Sequence, residues 1–203
     1  MFMSSFGLFF GVPAKAFDEP LGSFRNTYYY MVFEEDFPHE AKDASILEMD
    51  GTLIAKVTTK FYKALLMEGS GRLRDGRTVN WVGKVDEKSR YHVTKFVWGR
   101  GTGNCALAPY RTIAADPAQI PAGAVVKIEE TVGMKLPDGT ISDGVWRAED
   151  TGSAILHDRI DIYVGRRKDA RYLGDAGITH MKPLRISLVS HPLPDSCVFK
   201  NPE

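Results

Sequence analysis

The stretch Trp146 to Gly165 reads W-R-A-E-D-T-G-S-A-I-L-H-D-R-I-D-I-Y-V-G and concentrates acids in settings unlike a solvated surface. Asp150 closes an alternating apolar run just ahead of a small-residue turn at Thr151, Gly152 and Ser153. Asp161 lies inside a second run, in which Ile160, Ile162 and Val164 point one way. Side chains alternate along a strand, so Asp161 and Tyr163 share the opposite face. A carboxyl between two isoleucines is partly desolvated, which raises its pKa, and a carboxyl still protonated near neutrality is a general acid. The two acids are 11 residues apart, a spacing that two short neighbouring strands can bring to one rim. The competing use of such aspartates is to cap turns and accept backbone amides.

Outward from this stretch, the chain is punctuated by Gly and Pro between short strand-like runs. Thr27 to Phe33 (T-Y-Y-Y-M-V-F) is aromatic and reads as a strand, followed by a polar connection from Glu34 to the Asp50-Gly51 turn. Leu53, Ala55 and Val57 form a brief strand. Phe61, Ala64, Leu65 and Leu66 share one helical face within Thr58 to Met67, and Gly69 stops the helix. Glu68 to Asn80 is Gly-rich and polar, without the Walker lysine, and reads as a loop beside a groove. Arg90 to Trp98, Arg111 to Ala115, Ala124 to Glu129 and Leu184 to Val189 are further strands, with a helical patch at Lys168 to Leu173. Many short strands and little helix predict a mainly β fold built as a closed barrel.

Composition narrows the function. With a formal net charge of zero, the chain of 203 residues lacks the electrostatic footprint of a nucleic-acid binder. The 43% apolar and 26% charged residues are those of a folded domain. Residues 1 to 16 hold an apolar run ending in Ala14-Lys15-Ala16 and read as a signal peptide; the other reading is an apolar segment packed on the domain. No other run approaches the ~20 apolar residues that span a bilayer, so no transmembrane segment is expected in the mature protein. Cys105 and Cys197 are either one disulfide, in an oxidising compartment, or two unrelated thiols. The histidines have no metal-ligand spacing, so no metal or cofactor is expected.

Three motifs then carry a resemblance: A-A-D-P-A-Q-I-P-A-G-A-V-V-K-I at 114 to 128, A-E-D-T-G-S-A-I at 148 to 155 and R-I-D-I-Y-V-G at 159 to 165. In order and spacing they resemble the three-aspartate (3D) domain family. That domain is shared by membrane-bound lytic transglycosylase A and bacterial stationary-phase survival muralytic proteins. The resemblance implies a six-stranded double-psi β-barrel over residues 17 to 190, with an insertion at about 34 to 110 and a C-terminal tail from 191 to 203. It also implies non-hydrolytic cleavage of peptidoglycan glycan strands between N-acetylmuramic acid and N-acetylglucosamine, in an exported protein of the periplasm or outer envelope. Carried over by motif, Asp161 is the acid/base, and Asp150 and Asp116 are the other signature aspartates. Where the family has Gly-Gly-Ala-Ile-Lys-Gly, this chain has Gly152-Ser153-Ala154-Ile155-Leu156-His157, without the lysine.

The expected substrate contacts are Thr151, Gly152, Tyr163, Tyr30, Glu68 and Ser70. Tyr29, Trp81 and Trp98 are further stacking candidates, and Arg72 a further polar one; core packing or a solvated loop is the alternative for each. Two other functions fit the same residues: a wall-polysaccharide-binding barrel without catalysis, as in expansin-related double-psi barrels, and a hydrolase using Asp150 and Asp161 together. Oligomeric state is not legible.

Overall fold

The computed structural model describes residues 18–202, so the expected signal peptide lies outside the described residues. In chain order the elements are β1 (Glu19–Tyr29), β2 (Val32–Phe33), β3 (Ala44–Leu47), β4 (Leu53–Val57), α1 (Thr59–Glu68), β5 (Ser70–Arg72) and β6 (Thr78–Val85). They continue as β7 (Lys88–Thr94), β8 (Thr112–Ala115), β9 (Val125–Ile128), β10 (Val145–Asp150), β11 (Arg159–Tyr163), α2 (Arg171–Asp175) and β12 (Pro183–Ser190).

Six strands close into a barrel in the order β1-β11-β8-β10-β9-β12. Two pairs are parallel, β1 with β11 and β8 with β10, and the other contacts are antiparallel. This is the double-psi barrel expected from the resemblance. Alternation drives closure: Ile160, Ile162, Ile113, Ala115, Val126, Ile128, Trp146, Leu184 and Ile186 all turn into one buried cluster. Trp146 can be wholly buried because its Nε1 donates to Thr131 Oγ1 at 2.9 Å, so no indole N–H is stranded in the core.

Between β1 and β8 the chain makes an insertion, with a four-stranded sheet β2-β5-β6-β7 and a β3-β4 hairpin. Helix α1 starts at Thr58, whose side chain accepts the Phe61 N–H at 3.2 Å, and ends at Gly69 in the left-handed region. Its buried face, Phe61 and Leu65, joins Val32, Ile46, Val57, Val79 and Tyr91 in a second core.

Several local expectations are corrected. Glu68 to Asn80 is not a loop: Ser70–Arg72 and the start of β6 are paired strands. Its glycine Gly71 serves close approach rather than turning, since an added Cβ would lie 2.9 Å from Leu65 Cδ1. Thr27 to Phe33 is not one strand; it is shared between β1 in the barrel and β2 in the insertion sheet. The connection from Glu34 to Asp50 contains strand β3. Cys105 and Cys197 form a disulfide that pins the segment after β12 to the segment before β8.

Candidate active site

The site is organised by β8, flanked by both acid-bearing strands. Ala114 is in register with Asp150 on one side and with Asp161 on the other. Strand spacing puts the two acid-bearing backbones ~10 Å apart, two interstrand steps. Ala114, Asp150 and Asp161 all line one open groove of about 500 Å³. The methyl group of Ala114 leaves room between the carboxyls.

Asp161 projects away from the barrel core, while Ile160 and Ile162 on either side point into it, fully buried. One carboxyl oxygen, Oδ1, is buried without a hydrogen-bond partner. Burial pushes this carboxyl up to about 6, against opposing pulls from a Thr27 hydrogen bond and from Arg159 and His180. The source of that burial differs from the one the sequence suggested. The flanking isoleucines face the other way, into the barrel core, so they do not supply it.

Asp150 is held instead. Tyr29 Oη donates to its Oδ2 at 2.7 Å and the Thr151 N–H donates to its Oδ1 at 2.9 Å. Burial still lifts it to about 6, the Asp161 charge adding to the lift. Both groove carboxyls thus stand above the ordinary carboxylate range, each chiefly through burial. Glu68 ends α1 on the same groove, and its Oε2 accepts the Tyr30 N–H at 3.2 Å. Burial raises its pKa, with the Asp161 charge acting in the same direction.

The other expected site residues divide. Thr151 and Gly152 line the groove. Tyr163 does not: it is completely buried, its ring 4.8 Å from Tyr29 and its hydroxyl donating to the Trp98 carbonyl at 2.8 Å. It therefore braces the tyrosine that holds Asp150. Ser70 is buried beneath Gly99 with an unpartnered Oγ, away from the groove lining. Tyr30 packs between the two hydrophobic cores and meets Glu68 of the groove through its main-chain N–H and through its side chain.

Asp116 lies outside the groove lining. It accepts the N–H groups of His157 at 2.8 Å and Ala118 at 3.0 Å, which hold its carboxyl below the ordinary range. Its reach to His157, which has a φ of 58°, ties down the turn that departs from the family pattern.

Of the stacking candidates, Trp81 lines the groove and is 47% exposed, whereas Trp98 faces a different pocket together with Arg72. Sequence reading passed over Leu66, Met67, Lys84, Ser89 and Ile155, which complete the groove. Met67 is 84% exposed on the helix that ends at this groove. Among the described residues, the potential metal-ligand grouping is Cys105, Glu149 and Cys197, whose sulfurs are already bonded to each other. Among those residues no helix is long and apolar enough to cross a membrane.

Residues 111–181 match the family model of the 3D domain. The fold is similar to that of MltA from E. coli, solved with bound chitohexaose, with a TM-score of 0.60 and 14% identity over 85% of this chain and 73% of that one. It is also similar to a membrane-bound lytic murein transglycosylase from Agrobacterium tumefaciens, with a TM-score of 0.55 and 13% identity over 83% and 74% of the two chains. No curated protein sequence matches this chain.

Proposed function

We propose that this chain, a carrier of the 3D domain on a barrel fold like that of lytic transglycosylases, cleaves peptidoglycan glycan strands by intramolecular transglycosylation. The observation that carries the reading is the asymmetry of the two groove acids. Asp150 is fixed by Tyr29 and Thr151, while Asp161, on the groove lining, carries a carboxyl raised to about 6 whose Oδ1 is buried without a hydrogen-bond partner. A carboxylic acid so placed is available to a substrate oxygen.

In this mechanism Asp161 donates its proton to the glycosidic oxygen as the bond from the muramyl C1 breaks. The carboxylate so formed takes the proton of the sugar's own C6 hydroxyl, whose oxygen closes on C1 as a 1,6-anhydro ring. The nucleophile is part of the substrate, so its effective concentration is high and no second carboxylate is needed to activate water. Asp150, with Thr151 and Gly152, orients the reacting sugar, and Trp81 offers a ring face for stacking. Asp116 acts through the turn at His157. Glu68 hydrogen bonds from the opposite wall. The disulfide supports an oxidising, exported setting, the periplasm or outer envelope.

Digestion of purified sacculi, with products read by mass spectrometry, tests the proposal. The native chain should release anhydromuramyl ends and Asp161→Asn should release none. Reducing ends would point to hydrolysis by the carboxylate pair. Co-sedimentation with sacculi and no soluble fragment would leave a wall-binding barrel.

A further inference from the structure

A second pocket, of about 420 Å³, opens where the insertion meets the segment after β11. Its lining includes Arg72, Arg74, Arg166, Phe33, Val97 and Trp98. Three arginines contribute to this lining, Arg74 also lining a smaller neighbouring pocket with Glu34 and Glu40, and such a gathering of cations calls for anions. One is supplied: Glu35 pairs with Arg166 at 3.0 Å while the Arg166 guanidinium lies 3.6 Å over the Phe33 ring.

Among the described residues, neither of the other two guanidinium groups forms an ion pair with a carboxylate. Arg72 donates to the carbonyls of Gly76, at 3.0 Å, and Val97, and Arg74 donates to the carbonyl of Phe37 at 2.6 Å. Nearby acids are committed elsewhere: Glu34 to Lys42 at 3.3 Å and to the Arg74 main chain at 2.9 Å, and Asp75 to Arg77 at 2.6 Å. Main-chain carbonyls orient a guanidinium without neutralising it; the Arg72 Nε is buried without a partner, and each of its two terminal nitrogens keeps one further N–H for an anion. The remaining wall is apolar: Phe33, Leu73, Trp98 and Val97, the last 62% exposed.

We propose that this pocket is a second ligand site, which receives a free carboxylate carried on a short apolar stem. That is the chemistry of a peptide C-terminus, and in a wall polymer it belongs to the peptide arms; this last identification rests on the glycan-cleavage reading above. The pocket and the groove are joined by a short relay of rings. Tyr163, which hydrogen bonds to the Trp98 carbonyl, packs against Tyr29, which holds Asp150.

The test is an NMR titration of the ¹⁵N-labelled protein with N-acetyl-alanyl-alanine, its C-terminal amide and inorganic phosphate, following Val97 and Trp98. The free acid should shift these signals saturably and the amide should not. Arg74→Gln should weaken the acid by about tenfold, as expected for loss of a charged hydrogen bond. Equal responses to acid and amide, phosphate matching the acid, or unchanged affinity in Arg74→Gln would each overturn the site. Asp161→Asn should bind the acid like the native chain, so loss of groove chemistry and loss of this pocket are read separately.

Discussion

Removing the acid from position 161 should stabilise the protein, and only above pH 4. Burial pushes the carboxyl up to about 6 in the native barrel, against an ordinary value of 3.8. Its folded pKa is raised, so between those values the native state binds more protons than the unfolded chain. Stability then falls as pH rises, by about 1.4 kcal/mol per pH step for one group. Across the full window this amounts to roughly 3 kcal/mol, an upper bound for a carboxyl coupled to Asp150. Asp161→Asn removes the titration while keeping the side-chain shape. Urea denaturation from pH 3.5 to 8 should show the two proteins converging at the acid end. At pH 8 the variant should lead by up to ~3 kcal/mol, or roughly 5–10 °C in Tm for a chain of this size. A variant that tracks the native pH dependence, or is the less stable protein at pH 8, would refute the claim that Asp161 is desolvated at a cost to the fold.

Tyr29→Phe withdraws a phenol donor from the Asp150 carboxylate, a hydrogen bond worth roughly 1.5–3 kcal/mol. The Asp150 titration should move upward from about 6 by one to two pH units, seen by ¹³C NMR of the carboxyl. Ala114→Leu places a branched side chain between the two acids; release of soluble fragments from sacculi should fall by ~100-fold or more while far-UV circular dichroism is preserved. Cys197→Ser opens a bridge spanning 92 residues and should cost roughly 4–5 kcal/mol by loop-closure entropy, read as a lower urea midpoint.

The barrel half of the fold was legible because strands such as β9, β10 and β11 alternate between buried and more open positions. Ile160, Asp161 and Ile162 announce one buried face and one reserved face without any coordinates. The insertion was less legible, because its strands break the local rules for good physical reasons. Ser70–Arg72 looks like a turn because the space beside Leu65 and Phe61 admits only glycine at Gly71. Thr27 to Phe33 looks continuous because nothing in its composition marks the change of sheet. At the site, the Asp150 and Asp161 pairing follows from spacing, but Tyr29 is 121 residues from the carboxylate it grips, and no local pattern carries such a contact. Tyr163 shares a face with Asp161 as alternation requires, yet the insertion covers one and leaves the other at the groove.

The bridge between Cys105 and Cys197 bears on how the molecule is made. The first cysteine precedes β8 and the second follows β12, which completes the barrel. In synthesis from the N-terminus, Cys105 emerges 92 residues ahead of its partner. Intramolecular closure must therefore await the sixth barrel strand, and the crosslink is a stamp of finished assembly rather than a guide to it.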